Sequence, residues 1–178
     1  TDLTVTMRKE NDDSGRQREY YELCNTGLQE LCSQKNTFVS ILPDLIPEYI
    51  SSHTLSHGLI SACKVANTTA VRLLLRKLDT VKDKRDVLNG DKEGTSPLHA
   101  AIQTGSSELV GMLLDAKADP NTPDVTNETP LCKACKLEHF ELVTRLIDAG
   151  ADTVSDLSPL RLACERNYID IVLLLLKK

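Results

Sequence analysis

Cys132 and Cys135 stand three residues apart, and His139 follows four residues later. Thiolates at that C-x-x-C spacing can hold a zinc ion or exchange with a disulfide, and an imidazole can add a ligand. A closed zinc site wants four ligands, and no second cysteine pair completes one. The redox use of the motif needs a βαβ context, which this sequence lacks. His99 is the next candidate, as a general base. His53 and His57 have no acidic partner at a fixed helical spacing. No Gly-rich phosphate loop, Ser/His/Asp arrangement or pair of carboxylates on one helix face accompanies any of them. No catalytic, cofactor-binding or metal-binding residue is therefore assigned, no cofactor is expected, and the chain is read as not an enzyme.

The segments around these residues recur. Ser96 is placed to cap a helix whose first turn holds Pro97, where a missing N–H is harmless. Leu98 and Ala101 share one face, and Gly105 ends the helix. Leu109, Val110, Leu113 and Leu114 form the apolar stripe of a second helix. Pro130 lies 33 residues after Pro97, in Thr129-Pro130-Leu131-Cys132, with Leu142, Val143, Leu146 and Ile147 as its second stripe. Pro159 opens another copy 29 residues later, with Ile171, Val172, Leu175 and Leu176 following. An earlier copy begins at His57-Gly58-Leu59-Ile60. The pattern resembles the ankyrin repeat, whose signature is Thr-Pro-Leu-His in a 33-residue period. Ser96-Pro97-Leu98-His99 is the copy most similar to it.

The resemblance implies an all-α solenoid of stacked helix-turn-helix units joined by short β-hairpin-like loops. It gives His99 a structural role, bonded to the backbone of a neighbouring hairpin. Cys132 occupies the same place in the next copy. Cys32, Cys63, Cys135 and Cys164 share one register, filled by Ile102 in the best copy. That register reads as a small buried apolar slot, which suits a reduced cysteine. The cysteines thus imply a reducing compartment, cytoplasm or nucleus, rather than a disulfide framework.

The expected organisation is as follows. Residues 1–15 are polar and form a disordered arm. Residues 16–55 form an atypical helical N-terminal cap or degenerate repeat, starting with a helix from about Arg16 to Ser33. Residues 56–90 are a repeat with an extended linker, and residues 91–123 and 124–152 are repeats without insertion. Residues 153–178 are a repeat read as truncated, with more chain expected beyond Lys178. The linker Lys77–Gly90 holds six extra residues, expected as a projecting charged finger or an added helical turn. Lys117 and Glu138 stand where left-handed glycine caps belong, at a cost of ~1 kcal/mol each.

Composition narrows the function classes. Apolar residues make up 40% of the chain and aromatics only 3%, which suits thin, regular helix interfaces better than a large single core. The net charge is −5, and few rings are present to stack on bases, so nucleic acid is not expected as a partner. The longest apolar run, Ile171 to Leu176, is too short to insert into a membrane. Lys64, Arg72, Arg76, Lys77, Lys82, Lys84 and Arg85 form a basic band between two acidic segments, read as a solvated helix face and loop, with a contact surface for an acidic partner as the alternative.

What remains is surface. The resemblance implies non-catalytic binding of a partner protein or peptide on the concave side, made of hairpin tips and first helices. Carried over by position, this marks Lys64 and Val65; Lys92, Glu93, Thr95, Gln103 and Thr104; Val125, Thr126, Glu128, Lys136 and Leu137; and Glu165 and Arg166. Val125 and Leu137 are apolar where solvent is expected, which reads either as single exposed apolar residues of no consequence or as an anchor for a partner. The alternative is an intramolecular spacer or regulatory arm of a larger signalling or channel protein. The isolated chain is expected to be monomeric.

Overall fold

The structure, a computed structural model, describes residues 52–78, 81, 83–90, 95–154 and 158–177. The polar arm, most of the helical cap with Cys32, and Lys92 and Glu93 lie outside the described residues. The described helices are α1 (Ser52–Lys64), α2 (Thr68–Lys77), α3 (Lys84–Asn89), α4 (Pro97–Gln103), α5 (Ser107–Asp115), α6 (Pro130–Lys136), α7 (Phe140–Asp148), α8 (Pro159–Glu165) and α9 (Ile169–Leu176). No strand occurs among them.

Short helices such as these do not hold alone, so their ends and faces matter. Asn67, Ser96, Ser106 and Thr129 cap α2, α4, α5 and α6 by accepting a backbone N–H with their side-chain oxygens. Pro97, Pro130 and Pro159 sit in the first turn of their helices. First helices pack in series, α1 on α4 on α6 on α8, and second helices do the same, α2 on α5 on α7 on α9. The core runs continuously between the two rows: Leu59, Leu98 and Leu131 on one side, Leu109, Leu113, Leu142 and Leu146 on the other, all buried. This is the two-row solenoid expected from the repeated stripes.

Helix ends are left-handed at matching places. Ala66, Gly105, Glu138 and Asn167 end the first helices with φ of 55°, 70°, 59° and 59°. Lys117 (φ 71°) and Gly150 (φ 89°) end second helices. Gly105 has a second reason to lack a side chain: a Cβ there would lie 3.1 Å from the His139 ring of the next repeat. Glu138 is exposed and under the strain expected of it. Replacing Glu138 with glycine is expected to stabilise the fold by up to about 1 kcal/mol. Urea denaturation would read this, and an unchanged or lowered midpoint would contradict it.

The described residues of the insertion between the first two described repeats neither project nor lengthen α2. They form the separate helix α3, which packs on α1 and α4. Val87 and Leu88 are buried there, and Leu78 just before it is buried too. These three apolar side chains draw the inserted segment onto the array and leave Lys84, Arg85 and Asp86 in solvent. Asn89 Oδ1 then accepts the Asp119 N–H at 3.3 Å, tying the insertion to the next hairpin.

Cys164 departs from its expected register. Cys63, Ile102 and Cys135 are buried, but Cys164 is exposed. Cys135 sits on α6, which packs between the first helices α4 and α8, whereas among the described residues α8 packs on the first helix α6 and on α9.

Candidate recognition surface

The residues with chemical potential turn inward or toward one another. Cys132 and Cys135 are both fully buried. Burial pushes the Cys135 thiol up to about 12, and the neighbouring Cys132 adds to the shift, so it is not a thiolate at neutral pH. The His139 ring does not join them, because it lies against Gly105. Among the described residues no three His, Cys, Asp or Glu side chains are grouped to hold a metal ion.

His99 is buried and fully engaged. Its Nε2 lies 2.9 Å from the Glu128 carbonyl oxygen of the next hairpin. A carbonyl only accepts, so Nε2 is assigned the hydrogen. Nδ1 then accepts from the Ser96 hydroxyl at 2.8 Å, while Ser96 Oγ accepts the His99 N–H at 3.2 Å. The histidine therefore bridges a helix cap to the following finger, in the role expected of it.

That finger is held from inside. The Asp124 N–H donates to the Glu128 carbonyl and the Asn127 N–H to the Asp124 carbonyl, both at 2.9 Å. Asp124 Oδ1 accepts from the Thr126 N–H, the Thr126 hydroxyl and the Glu128 N–H at 2.8, 2.6 and 3.0 Å. Partial burial opposes the Asp124 charge. The bonds from Thr126 and Glu128 outweigh it, and the carboxyl is held below its ordinary value. Lower on the fingers, Asn121 Oδ1 accepts the Asp152 N–H at 2.7 Å, repeating the Asn89–Asp119 link one unit on.

The residues marked from sequence separate into groups on this frame. Val125 and Thr126 are exposed at the finger tip, Val125 by 72%. Lys64, Gln103, Thr104, Glu165 and Arg166 are exposed where the first helices end. Those helices pack in series, so these residues follow one another along one row. Thr104 bonds back to the Ala101 carbonyl at 2.8 Å, and Glu165 pairs with Arg161 at 3.3 Å. Thr95 and Val65 are half-buried.

Three residues are not the free surface groups expected of them. Glu128 is 4% exposed, and its carboxylate lies 2.6 Å from Lys136 Nζ and 3.9 Å from Lys133 Nζ. The cations of α6 neutralise it under the finger, so Lys136 is engaged as well. Leu137 is half-buried against the core, because the turn after α6 folds it inward.

Sequence reasoning missed Val154, which is 83% exposed. It stands five residues before Pro159, as Val125 stands five before Pro130. The matching register was the signal, hidden by the four-residue deletion in the last copy. The fingers also share a charge: no Lys or Arg falls between Lys117 and Lys133 or between Arg145 and Arg161, while Asp119, Asp124, Glu128, Asp148, Asp152 and Asp156 do.

No described helix is long and apolar enough to cross a membrane. Comparison with known proteins gives a family and several relatives. A family model described as ankyrin repeats (3 copies) matches residues 28–124 and 120–178. The human ARF GTPase-activating protein GIT1 is 32% identical over 116 residues, which is 65% of this chain and 14% of that protein. The ankyrin repeat protein nuc-2 of Neurospora crassa is 39% identical over 97 residues, 52% of this chain and 9% of that protein. The tyrosine-protein kinase HTK16 of Hydra vulgaris is 29% identical over 140 residues, 79% of this chain and 17% of that protein. The chain spans only these small shares of its relatives' lengths. The family match covers most of the chain and falls on the repeated helix pairs described above: the chain belongs to the ankyrin-repeat family, whose repeats form protein-interaction modules.

Proposed function

We propose that this chain is a non-catalytic recognition module that binds a partner protein along its finger tips and the ends of its first helices, the concave side of such an array. The observation that carries this reading is Val125. It is an apolar side chain left in solvent on a finger fixed by three bonds to one carboxylate. An apolar group held rigid loses little entropy on contact, which is what an interface anchor needs. Val154 is a second exposed valine one repeat on, its N–H bonded to Asp152 Oδ1, and Gln103 adds an exposed polar side chain at the end of a first helix.

The test is affinity capture from the native organism followed by mass spectrometry, with the wild-type chain and a Val125→Glu/Val154→Glu variant. The bound partner is expected to fall about tenfold with the variant. A control change on the second-helix side, Arg76→Glu, is expected to leave capture intact. Equal capture by all three chains would refute the finger-tip surface.

A second reading follows from the comparisons. The relatives whose names state a kinase or a GTPase-activating protein are far longer than the matched part. The array would then be an arm that packs against another domain of its own chain. Under that reading the same valines would be protected by the neighbouring domain in a longer chain, which hydrogen exchange and proteolysis would show.

A further inference from the structure

The outer row of second helices changes character along the array. Thr68 and Arg72 of α2 correspond in the repeat to Ser107 and Gly111 of α5, Phe140 and Thr144 of α7, and Ile169 and Leu173 of α9. On α5 the row is polar and tied down: Arg72 pairs with Glu108 at 3.3 Å, and Ser107 donates to Glu141. At the α7–α9 end it is apolar. Phe140, Ile169, Leu173 and Leu176 are each between 48% and 65% exposed.

Stacking of repeats accounts for Leu176 but not for Phe140, Ile169 or Leu173. Ile171 and Leu175 are the buried residues of α9, and Val172 and Leu174 pack partly buried against the core. Phe140 stays exposed even though α9 is packed on its helix. Leu176 matches Leu114 and Ile147, which a following pair covers, but Phe140, Ile169 and Leu173 match positions that need no apolar group.

A groove of about 380 Å³ runs through the patch, lined by Phe140, Asp170, Leu173, Leu174 and Lys177. Asp170 and Lys177 are seven residues apart, two helical turns, so they lie on one face about 10 Å apart with the leucines between them. Neither has an ion-pair partner among the described residues. The order along the face is acid, apolar, apolar, base. Turned by a two-fold axis between Leu173 and Leu174, that order is its own complement.

We infer that this face is the interface between two copies of the chain, with the α9 helices antiparallel. Asp170 of each copy meets Lys177 of the other. Leu173 and Leu174 meet across the axis, and Phe140 and Ile169 close the flanks. A helix of eight residues spans only about 12 Å, so the contact falls in the small, transient class, and the pair forms at high concentration. The inference does not depend on the finger-tip surface.

Sedimentation velocity on the full 178-residue chain tests it, from about 5 to about 500 μM at low salt. The average mass is expected to rise from 19.7 kDa toward twice that value. Leu173→Glu is expected to keep the chain monomeric throughout with an unchanged melting temperature, since Leu173 is not in the core. Asp170→Lys and Lys177→Asp alone are each expected to weaken the pair about tenfold, by setting like charges together. The double exchange Asp170→Lys/Lys177→Asp restores the pattern in mirror order and is expected to restore the pair. A wild type that stays monomeric would overturn the inference and assign the groove to a different occupant. So would association that survives Leu173→Glu, or a double exchange as weak as the single changes.

Discussion

Replacing Leu131 with alanine is expected to destabilise the chain by about 2–5 kcal/mol, the range for emptying a closed core position. Leu131 is fully buried on α6, which packs between α4 and α8. Two features keep the loss toward the upper part of that range. The stack joins each repeat only to its neighbours, so a void in a middle pair weakens both of its interfaces. The core is also built of short, shape-fixed side chains. Aromatic side chains make up only 3% of the chain, with two phenylalanines and no tryptophan, so few large rings are present to fill a gap. Leu160 holds the same register on α8 but is half-buried. Leu160→Ala should therefore cost no more than about half as much. Equilibrium denaturation in urea measures both. Equal costs for the two changes would show that α6 and α8 are equally enclosed, contrary to the packing described.

Most of the fold was legible because one unit is written several times. Pro97 and Pro130 fix a period, and any apolar pair that recurs in that period marks a face even where its own helix is too short to declare itself. The structure departs from the sequence reading where a residue's fate depends on something outside its own copy. Val87 and Leu88 sit in a charged insertion, and only the nearby faces of α1 and α4 turn them into core. Glu128 has no repeat-level reason to be buried. Lys136, two turns along α6, comes back over the finger base and makes burial tolerable. Cys164 shares a register with Cys135, but a register specifies which way a side chain points and not whether anything lies there. The candidate surface was less legible for the same reason. Exposure is a property of the stack, and Val125, Leu137 and Val154 are three similar apolar residues whose environments differ only after folding.

His99 gives the other large effect, and one that depends on pH. His99→Ala is expected to cost about 1–3 kcal/mol, because it removes one of the two donors to the Glu128 carbonyl and the acceptor of the Ser96 hydroxyl in a buried site. His99→Gln, which keeps a donor, should recover part of this. Burial holds the imidazole below its ordinary value of 6.5 and outweighs the opposing pull of the Glu128 carbonyl and the nearby carboxylates. The folded chain therefore keeps His99 neutral where the unfolded chain has begun to protonate it. The unfolded state binds more protons, so stability rises with pH in that window. His99 contributes its full stabilisation above pH 6.5 and loses it as pH falls from there through the depressed folded value. The same bond pattern explains the direction: a second proton on the ring would face the Ser96 hydroxyl and force it to turn away from Nδ1. Denaturation midpoints of wild type and His99→Gln, taken from about pH 8 to pH 5, isolate this contribution as a difference. The gap between the two proteins is expected to narrow as the solution is acidified. A constant gap would mean that folding does not shift the ring's protonation, and a gap that widens toward low pH would mean that the folded chain favours the charged ring; either would contradict the bridge described.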